Sequence, residues 1–174
     1  DLTSDYAAIR AEMEEVSEKF SEKYLRLVDY QKFLDAIPAL QNEVSGRAIM
    51  RAMHFFDENL RVDKAVSAIN MKNADAFYKI VNESGDSSFK LLQNCYVPAD
   101  TVQRIPLGIV LSQHVTGVKA VRVHGGGFAG TIQAFVPLAL LETYKNAIDA
   151  VFGAGSCHVL SVRNYGAVMV TPDM

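Results

Sequence analysis

A chain of 174 residues, 49% of them hydrophobic, can bury one good core, and we expect a single domain over residues 1–174. The net charge of −3 and a pI of about 5.8 offer no basic surface, so we expect no nucleic-acid partner. No apolar run is long enough to span a bilayer, and no signal peptide opens the chain. The well-separated Cys95 and Cys157 indicate free thiols in a cytoplasmic protein, and the start at Asp1 indicates a fragment.

Helical patterns fill the first two thirds of the chain. Apolar spacing predicts helices over 5–20, with Ser4 as N-cap, and over 30–37, ending before Pro38. Ser45 begins a longer helix, and its apolar stripe consists of Ile49, Met53, Phe56, Leu60, Val62, Val66 and Ile69. On the polar face of that helix, His54 is expected to form a surface or interhelix hydrogen bond rather than to act as a catalytic base.

Polar residues interrupt the next helical pattern. Asn73 is predicted to cap a short helix over 74–81, and residues 82–88 then form a break. This break is either a capping box for a helix over 87–94 or a loop of a functional site. A further helix is predicted over 101–115, with Pro106 in its first turn and Gly117 just after its end.

The hydrophobic period changes after Gly117. Strands are predicted over 118–124 and 131–136, followed by a helix from Pro137 to Gly153 whose inward residues are Leu141, Tyr144, Ile148 and Val151. Two more strands are predicted over 157–163 and 167–170. We therefore expect an α+β fold, in which the helical N-terminal two thirds packs on a small, mostly antiparallel, four-stranded sheet.

Four glycines lie within six positions between the first two predicted strands. A hairpin turn needs one or two such residues, and successive unhindered N–H groups can form a concave anion site. Gly125, Gly127 and Gly130 also fit the dinucleotide fingerprint G-x-G-x-x-G, and Asp149 follows at a suitable distance. That motif requires a helix directly after the glycines, whereas residues 131–136 have a strand pattern, so we do not favour it.

Three stretches together resemble the GHMP small-molecule kinases. Residues 125–131, Gly-Gly-Gly-Phe-Ala-Gly-Thr, are similar to the third motif of that family in its galactokinase form, G-x-G-F-G-G. Residues 51–62 resemble the galactokinase pattern R-A-x-H-x-x-x-E-x-x-R-V. Residues 82–88 resemble the segment S-H-x-S-L, with Ser84 and Ser87 matching its serines. The stretches occur in family order, and the resemblance extends over about residues 47–170.

This resemblance implies the C-terminal domain of a GHMP kinase, with a ferredoxin-like fold. It also implies transfer of the ATP γ-phosphate to the C1 hydroxyl of galactose or a similar small sugar, with Mg²⁺. In the family the glycine loop lies at the active cleft and supports the phosphate-binding loop of the other lobe. We assign that role to Gly125, Gly126, Gly127, Phe128, Ala129, Gly130 and Thr131. Weaker candidates are Ser84, Ser87 and His124, which adjoins the loop.

The chain also departs from the family. Gly85 stands where the family has His, Ala129 replaces a Gly, and residues 96–100 replace a Cys-Pro-Glu-Leu segment. The galactose signature, the serine-rich phosphate loop and the catalytic Asp belong to an N-terminal lobe that is absent here, so no catalytic residue is assigned in this chain. We expect a C-terminal lobe that is inactive alone. The alternatives are a stand-alone sugar- or nucleotide-binding regulatory module, or a lobe of another GHMP kinase acting on mevalonate, homoserine or another sugar.

No metal site is predicted either. The histidines His54, His114, His124 and His158 are scattered, and none of them has the spacing of metal ligands.

Overall fold

The computed structural model describes residues 2–128 and 130–169. Within them the helices are α1 Thr3–Glu18, α2 Tyr30–Leu40, α3 Gly46–Asn70, α4 Ala74–Ser87, α5 Arg104–His114 and α6 Leu141–Phe152. The strands are β1 Ala120–His124 and β2 Thr131–Phe135. Short helical turns lie at Leu25–Leu27, Ser88–Leu92 and Leu138–Leu140, the second of them a π-helical turn. No helix among these residues is both long and apolar enough to cross a membrane.

Local capping chemistry fixes where several helices begin. The Ser45 side chain accepts the Ala48 N–H where the start of α3 is predicted, and the Asn73 side chain caps α4 as predicted by accepting the Ala76 N–H. Pro106 lies in the first turn of α5, also as predicted. The Ser4 cap is wrong, because Ser4 lies inside α1 and Leu2 precedes the helix without a side-chain bond.

The predicted stop before Pro38 is wrong as well. Pro38 lies in the last turn of α2, which continues to Leu40. A proline so near the C-terminus removes a single helical hydrogen bond. Leu40 is buried in the core, and this burial favours the extra turn.

The predicted break at 82–88 does not exist. α4 runs unbroken to Ser87 and continues as the π-helical turn, which ends where Gln93 adopts a φ of +58°. Gly85 is buried at the point where α4 packs on β1, and a Cβ there would lie 2.9 Å from the backbone oxygen of Val121. Gly85 therefore serves close packing between two elements rather than a turn.

The sheet contains two strands in the described part of the chain, not the four predicted. β1 and β2 are antiparallel, with Val121 opposite Ala134 and Val123 opposite Ile132. Residues 157–163 form no strand, and neither do 167–169, whereas Val170 lies outside the described residues.

Side-chain hydrogen bonds occupy part of the second edge of β1. Asn82 donates its Nδ2 to the carbonyl of Lys119 and accepts the N–H of Val121, both at 3.0 Å. These bonds use the edge of β1 that faces away from β2, where no strand pairs among the described residues. The apolar side chains of Val159, Leu160 and Val162 are exposed, and the α+β class is confirmed only in its coarser form.

Two hydrophobic clusters form the interior. The first joins α1, α2 and α3 through residues such as Val16, Phe33 and Phe56. The second joins α5 to the sheet and includes Cys95, Ile109 and Val123. The predicted apolar stripe of α3 is only half correct, because its C-terminal members Leu60, Val62, Val66 and Ile69 are exposed.

The inward face of α6 is also shorter than predicted. Tyr144 and Ile148 are buried, but Val151 is exposed. Phe152 is the residue of this turn that lies near α5. Its ring is 3.7 Å from the position that a Cβ would take at Gly108 of α5.

Candidate functional site

The glycine loop connects β1 to β2 in a backbone conformation that only some residues tolerate. Gly125 and Gly127 have φ values of +67° and +84°. Phe128 has a φ of +52°, which is uncommon for a residue with a bulky side chain. The sequence thus places glycine at two of the three left-handed positions, and contacts around Phe128 must offset the strain at the third.

Asn94 holds the loop from one side. Its backbone carbonyl accepts the N–H of Phe128 at 2.5 Å, and its Nδ2 donates to the carbonyl of Gly126 at 3.1 Å. A Cβ on Gly127 would lie 2.1 Å from the carbonyl oxygen of Asn94. Gly127 is therefore required by close approach as well as by its φ value.

Tyr6 of α1 holds the same loop from the other side. Its hydroxyl donates to the carbonyl of Gly127 at 2.9 Å. Its ring meets Phe128 edge-on at 5.0 Å between centroids, a favourable aromatic arrangement. Phe128 is only 2% exposed, so it anchors the loop in the protein and does not face a ligand.

Two consecutive N–H groups of the loop have no acceptor among the described residues, those of Gly125 and Gly126. Both glycines are exposed, and the outer part of the loop therefore faces solvent. Gly127 is buried at the end of the turn that Gly125 and Gly126 form, and Gly130 donates to its carbonyl at 2.9 Å. Successive free N–H groups with alternating handedness form a concavity that suits an anion.

The other predicted loop residues contribute less. Thr131 is the first residue of β2 and lies opposite His124, and both are exposed. The His124 side chain has no hydrogen-bond partner in the described part of the chain. Ala129 lies outside the described residues.

Ser84 belongs to a polar cluster that holds α3, α4 and β1 together. Its hydroxyl donates to Glu58 of α3 in a short hydrogen bond and accepts from Arg122 of β1 at 2.5 Å. Arg61 donates to the Glu58 carboxylate at 2.7 Å, and Arg122 donates to it at 3.3 Å. Burial acts to raise the pKa of Glu58, but the bonds from Ser84 and Arg61 and the charge of Arg122 offset it, so the pKa lies below its ordinary value.

Ser87 forms a separate contact between the same helices. Its hydroxyl lies 2.9 Å from Nδ1 of His54, and both side chains are buried. Burial lowers the pKa of His54, assisted by the charges of Arg61 and Arg122 and opposed by Glu58 and Asp57. The prediction of an interhelix hydrogen bond for His54 is confirmed. No hydrogen bond joins Ser84 or Ser87 to the glycine loop in the described chain, so the structure does not bring these serines together with the loop.

The buried thiol and the acidic residues offer no alternative chemistry in this chain. Burial raises the pKa of Cys95 to about 11, which keeps the thiol protonated and unreactive at neutral pH. In the described part of the chain, no three His, Cys, Asp or Glu side chains come together as a metal site.

Sequence reasoning missed Tyr6, Asn94 and Arg122. Tyr6 lies 121 residues before its partner Gly127, and no local pattern reports such a distant pairing. Asn94 offered a weak signal, because it directly precedes the apolar residues 95–97 and a buried amide must find hydrogen-bond partners. Arg122 carried a clearer signal, since a cation in the middle of a buried strand requires an acidic partner.

A hairpin with a glycine loop, packed against long helices, defines an α+β domain, and the motifs in it resemble those of galactokinases. Comparison with known proteins confirms this resemblance. The galactokinase of Mannheimia succiniciproducens is 30% identical over 151 residues, which is 84% of this chain and 37% of that protein. The galactokinase of Glaesserella parasuis matches at the same identity and coverage.

A solved structure agrees with these relatives. The galactokinase of Lactococcus lactis, determined in complex with galactose, superposes with a TM-score of 0.70 at 25% identity. The match covers 87% of this chain and 38% of that one. No family model matches the chain. The chain thus spans little more than a third of the length of the relatives it matches, a coverage that agrees with the single lobe predicted from the motifs.

Proposed function

We propose that this chain is the C-terminal lobe of a galactokinase-like sugar kinase and forms one domain over residues 1–174. The whole protein would transfer the γ-phosphate of ATP, with Mg²⁺, to the C1 hydroxyl of galactose or a similar small sugar in the cytoplasm. The similarity to three galactokinases supports the class of reaction. The chain alone would be inactive, since the sugar signature and the catalytic acid of that family have no counterpart in it.

The observation that carries the proposal is the pair of exposed, free N–H groups at Gly125 and Gly126. Phosphoryl transfer depends mainly on positioning and on stabilising charge at the phosphate oxygens. Fixed backbone N–H groups do this without reorganising during the reaction. These two residues fit the phosphate side of an ATP site, while the described acidic residues form no cluster that would hold Mg²⁺. The metal would be held by the N-terminal lobe or by the nucleotide itself.

Gly127→Val in the complete polypeptide tests this assignment. The valine side chain would collide with Asn94 and strain a left-handed backbone, so the loop must move. We expect a loss of turnover and of ATP affinity in an ADP-release assay with galactose and Mg-ATP. Gly153→Val is the control, because Gly153 also has a positive φ but lies after α6 in open space. Normal turnover and ATP affinity in Gly127→Val would show that the loop does not act in phosphate binding.

A further inference from the structure

Two residues from distant parts of the chain hold the glycine loop. The Tyr6 hydroxyl donates to the carbonyl of Gly127, the Asn94 side chain donates to the carbonyl of Gly126, and the Asn94 backbone carbonyl accepts the N–H of Phe128. These bonds leave the exposed N–H groups of Gly125 and Gly126 without an acceptor in the described structure. The three contacts therefore hold the loop backbone without using these two N–H groups.

We infer that Tyr6 and Asn94 are positioning residues that form a clamp on the phosphate-side loop. This inference rests on the proposed function, because the loop serves there as the anion site. The clamp explains how Phe128 keeps a left-handed backbone: the Asn94 carbonyl holds its N–H, and the Tyr6 ring packs against its own. Without the clamp, the loop backbone would relax to other conformations, and the N–H groups of Gly125 and Gly126 would change direction with it.

Arg51 connects the two elements that carry the clamp residues. Its Nη1 donates at 2.9 Å to Glu12, which lies in the same helix, α1, as Tyr6. Its Nε donates to the carbonyl of Leu92 at 3.0 Å, two residues before Asn94. The Arg51 side chain is 3% exposed, so these bonds are shielded from water. One buried guanidinium thus ties the two elements that carry Tyr6 and Asn94 to the same turn of α3.

Tyr6→Phe isolates the hydrogen bond, because it removes the hydroxyl and keeps the ring against Phe128. The first readout uses protein labelled with ¹⁵N-glycine, in which the amide signals of the loop glycines and of the other glycines are followed together. We expect the signals of Gly126 and Gly127 to shift and the signals outside the loop to stay in place. Asn94→Ala should move the same loop signals, and Tyr24→Phe, an exposed tyrosine with no hydroxyl bond among the described residues, should move none of them.

The second readout is kinetic and uses the complete polypeptide. We expect KM for ATP to rise about fivefold in Tyr6→Phe, the size of one lost hydrogen bond, while KM for the sugar is unchanged. Tyr24→Phe should keep both constants. A uniform loss of folding would lower the active fraction and leave both KM values as they were, so the split between ATP and sugar separates positioning from instability.

The possible outcomes are distinct. Unchanged loop signals in Tyr6→Phe and Asn94→Ala would overturn the clamp whatever the protein catalyses. Shifted signals with unchanged ATP kinetics would overturn its role in positioning. Shifted loop signals in a complete polypeptide without kinase activity would support the clamp itself and would contradict the proposed function.

Discussion

Gly125 and Gly127 are separated by one residue but differ in what surrounds them. Both have left-handed backbones, so a side chain at either position carries a similar conformational cost. A Cβ at Gly125 would meet nothing within 4 Å, whereas one at Gly127 would run into the backbone and amide of Asn94. The two positions therefore separate backbone strain from close packing.

Gly127→Ala should lower the free energy of unfolding by about 2 kcal/mol more than Gly125→Ala, because only the former adds overpacking to strain. Urea unfolding of the two variants beside the wild type measures this difference. Equal losses would mean that Asn94 moves away freely and that the contact does not constrain the loop.

His54 gives a prediction at the same scale for the dependence of stability on pH. Burial holds its pKa below the ordinary value of 6.5, so the unfolded chain takes up a proton more readily than the folded protein. The unfolding free energy should therefore fall as pH drops from about 6.5 toward 5. His54→Asn should flatten this part of the pH profile, whatever its effect on stability at pH 7.

The exposed His158 provides the matched control, since His158→Asn removes a histidine that is not buried. Its pH profile should keep the wild-type slope. If His54→Asn kept that slope too, the group responsible for it would lie elsewhere.

At the scale of elements, the contact between α4 and β1 determines the shape of the middle of the chain. Gly85 lets the helix approach so closely that an added Cβ would lie 2.9 Å from the Val121 oxygen and 3.0 Å from the Arg122 Cβ. The motif that residues 82–88 resemble has histidine at this position. A histidine cannot fit here unless α4 moves away from the strand.

Gly85→Ala should therefore destabilise the protein by about 1–3 kcal/mol, even though alanine is the better helix former. Gly46→Ala, at the first residue of α3 and in open space, should be neutral or stabilising by up to about 1 kcal/mol. Thermal or urea unfolding of the pair measures both effects. A stabilising Gly85→Ala would show that α4 does not need this close approach.

The elements that sequence reasoning located are those determined by local chemistry. Ser45 and Asn73 cap their helices through bonds three residues away, and Pro106 fits a first turn by its fixed φ. The unbroken course of α4 could not be predicted in this way, because it depends on packing against a strand more than thirty residues later in the chain. The position of Asn82 at the edge of β1, where no third strand pairs within the described residues, is likewise a long-range contact that no local pattern reports.

In the candidate site, too, local features could be predicted and long-range contacts could not. The position of the glycine loop and its place between two strands followed from composition and spacing, and the structure agrees. Its partners Tyr6 and Asn94 did not follow, since both contacts join residues far apart in the sequence. Ser84 and Ser87, chosen by motif, instead join α3 to α4 and β1.

For the whole molecule, the proposed function makes this chain one of two lobes. The chain covers little more than a third of the length of the galactokinases it matches. The assignment therefore predicts that the polypeptide made by the source cell is substantially larger than 19.1 kDa. A native mass near that value would favour a stand-alone regulatory module.

The most direct measurement is ADP release with galactose and Mg-ATP, carried out in parallel on this chain and on the intact polypeptide. The account predicts turnover by the intact polypeptide and none by the chain alone. Turnover by the chain alone would contradict the claim that catalysis requires a lobe absent from this chain. An intact polypeptide inactive toward galactose and every related sugar would contradict the assignment as a sugar kinase.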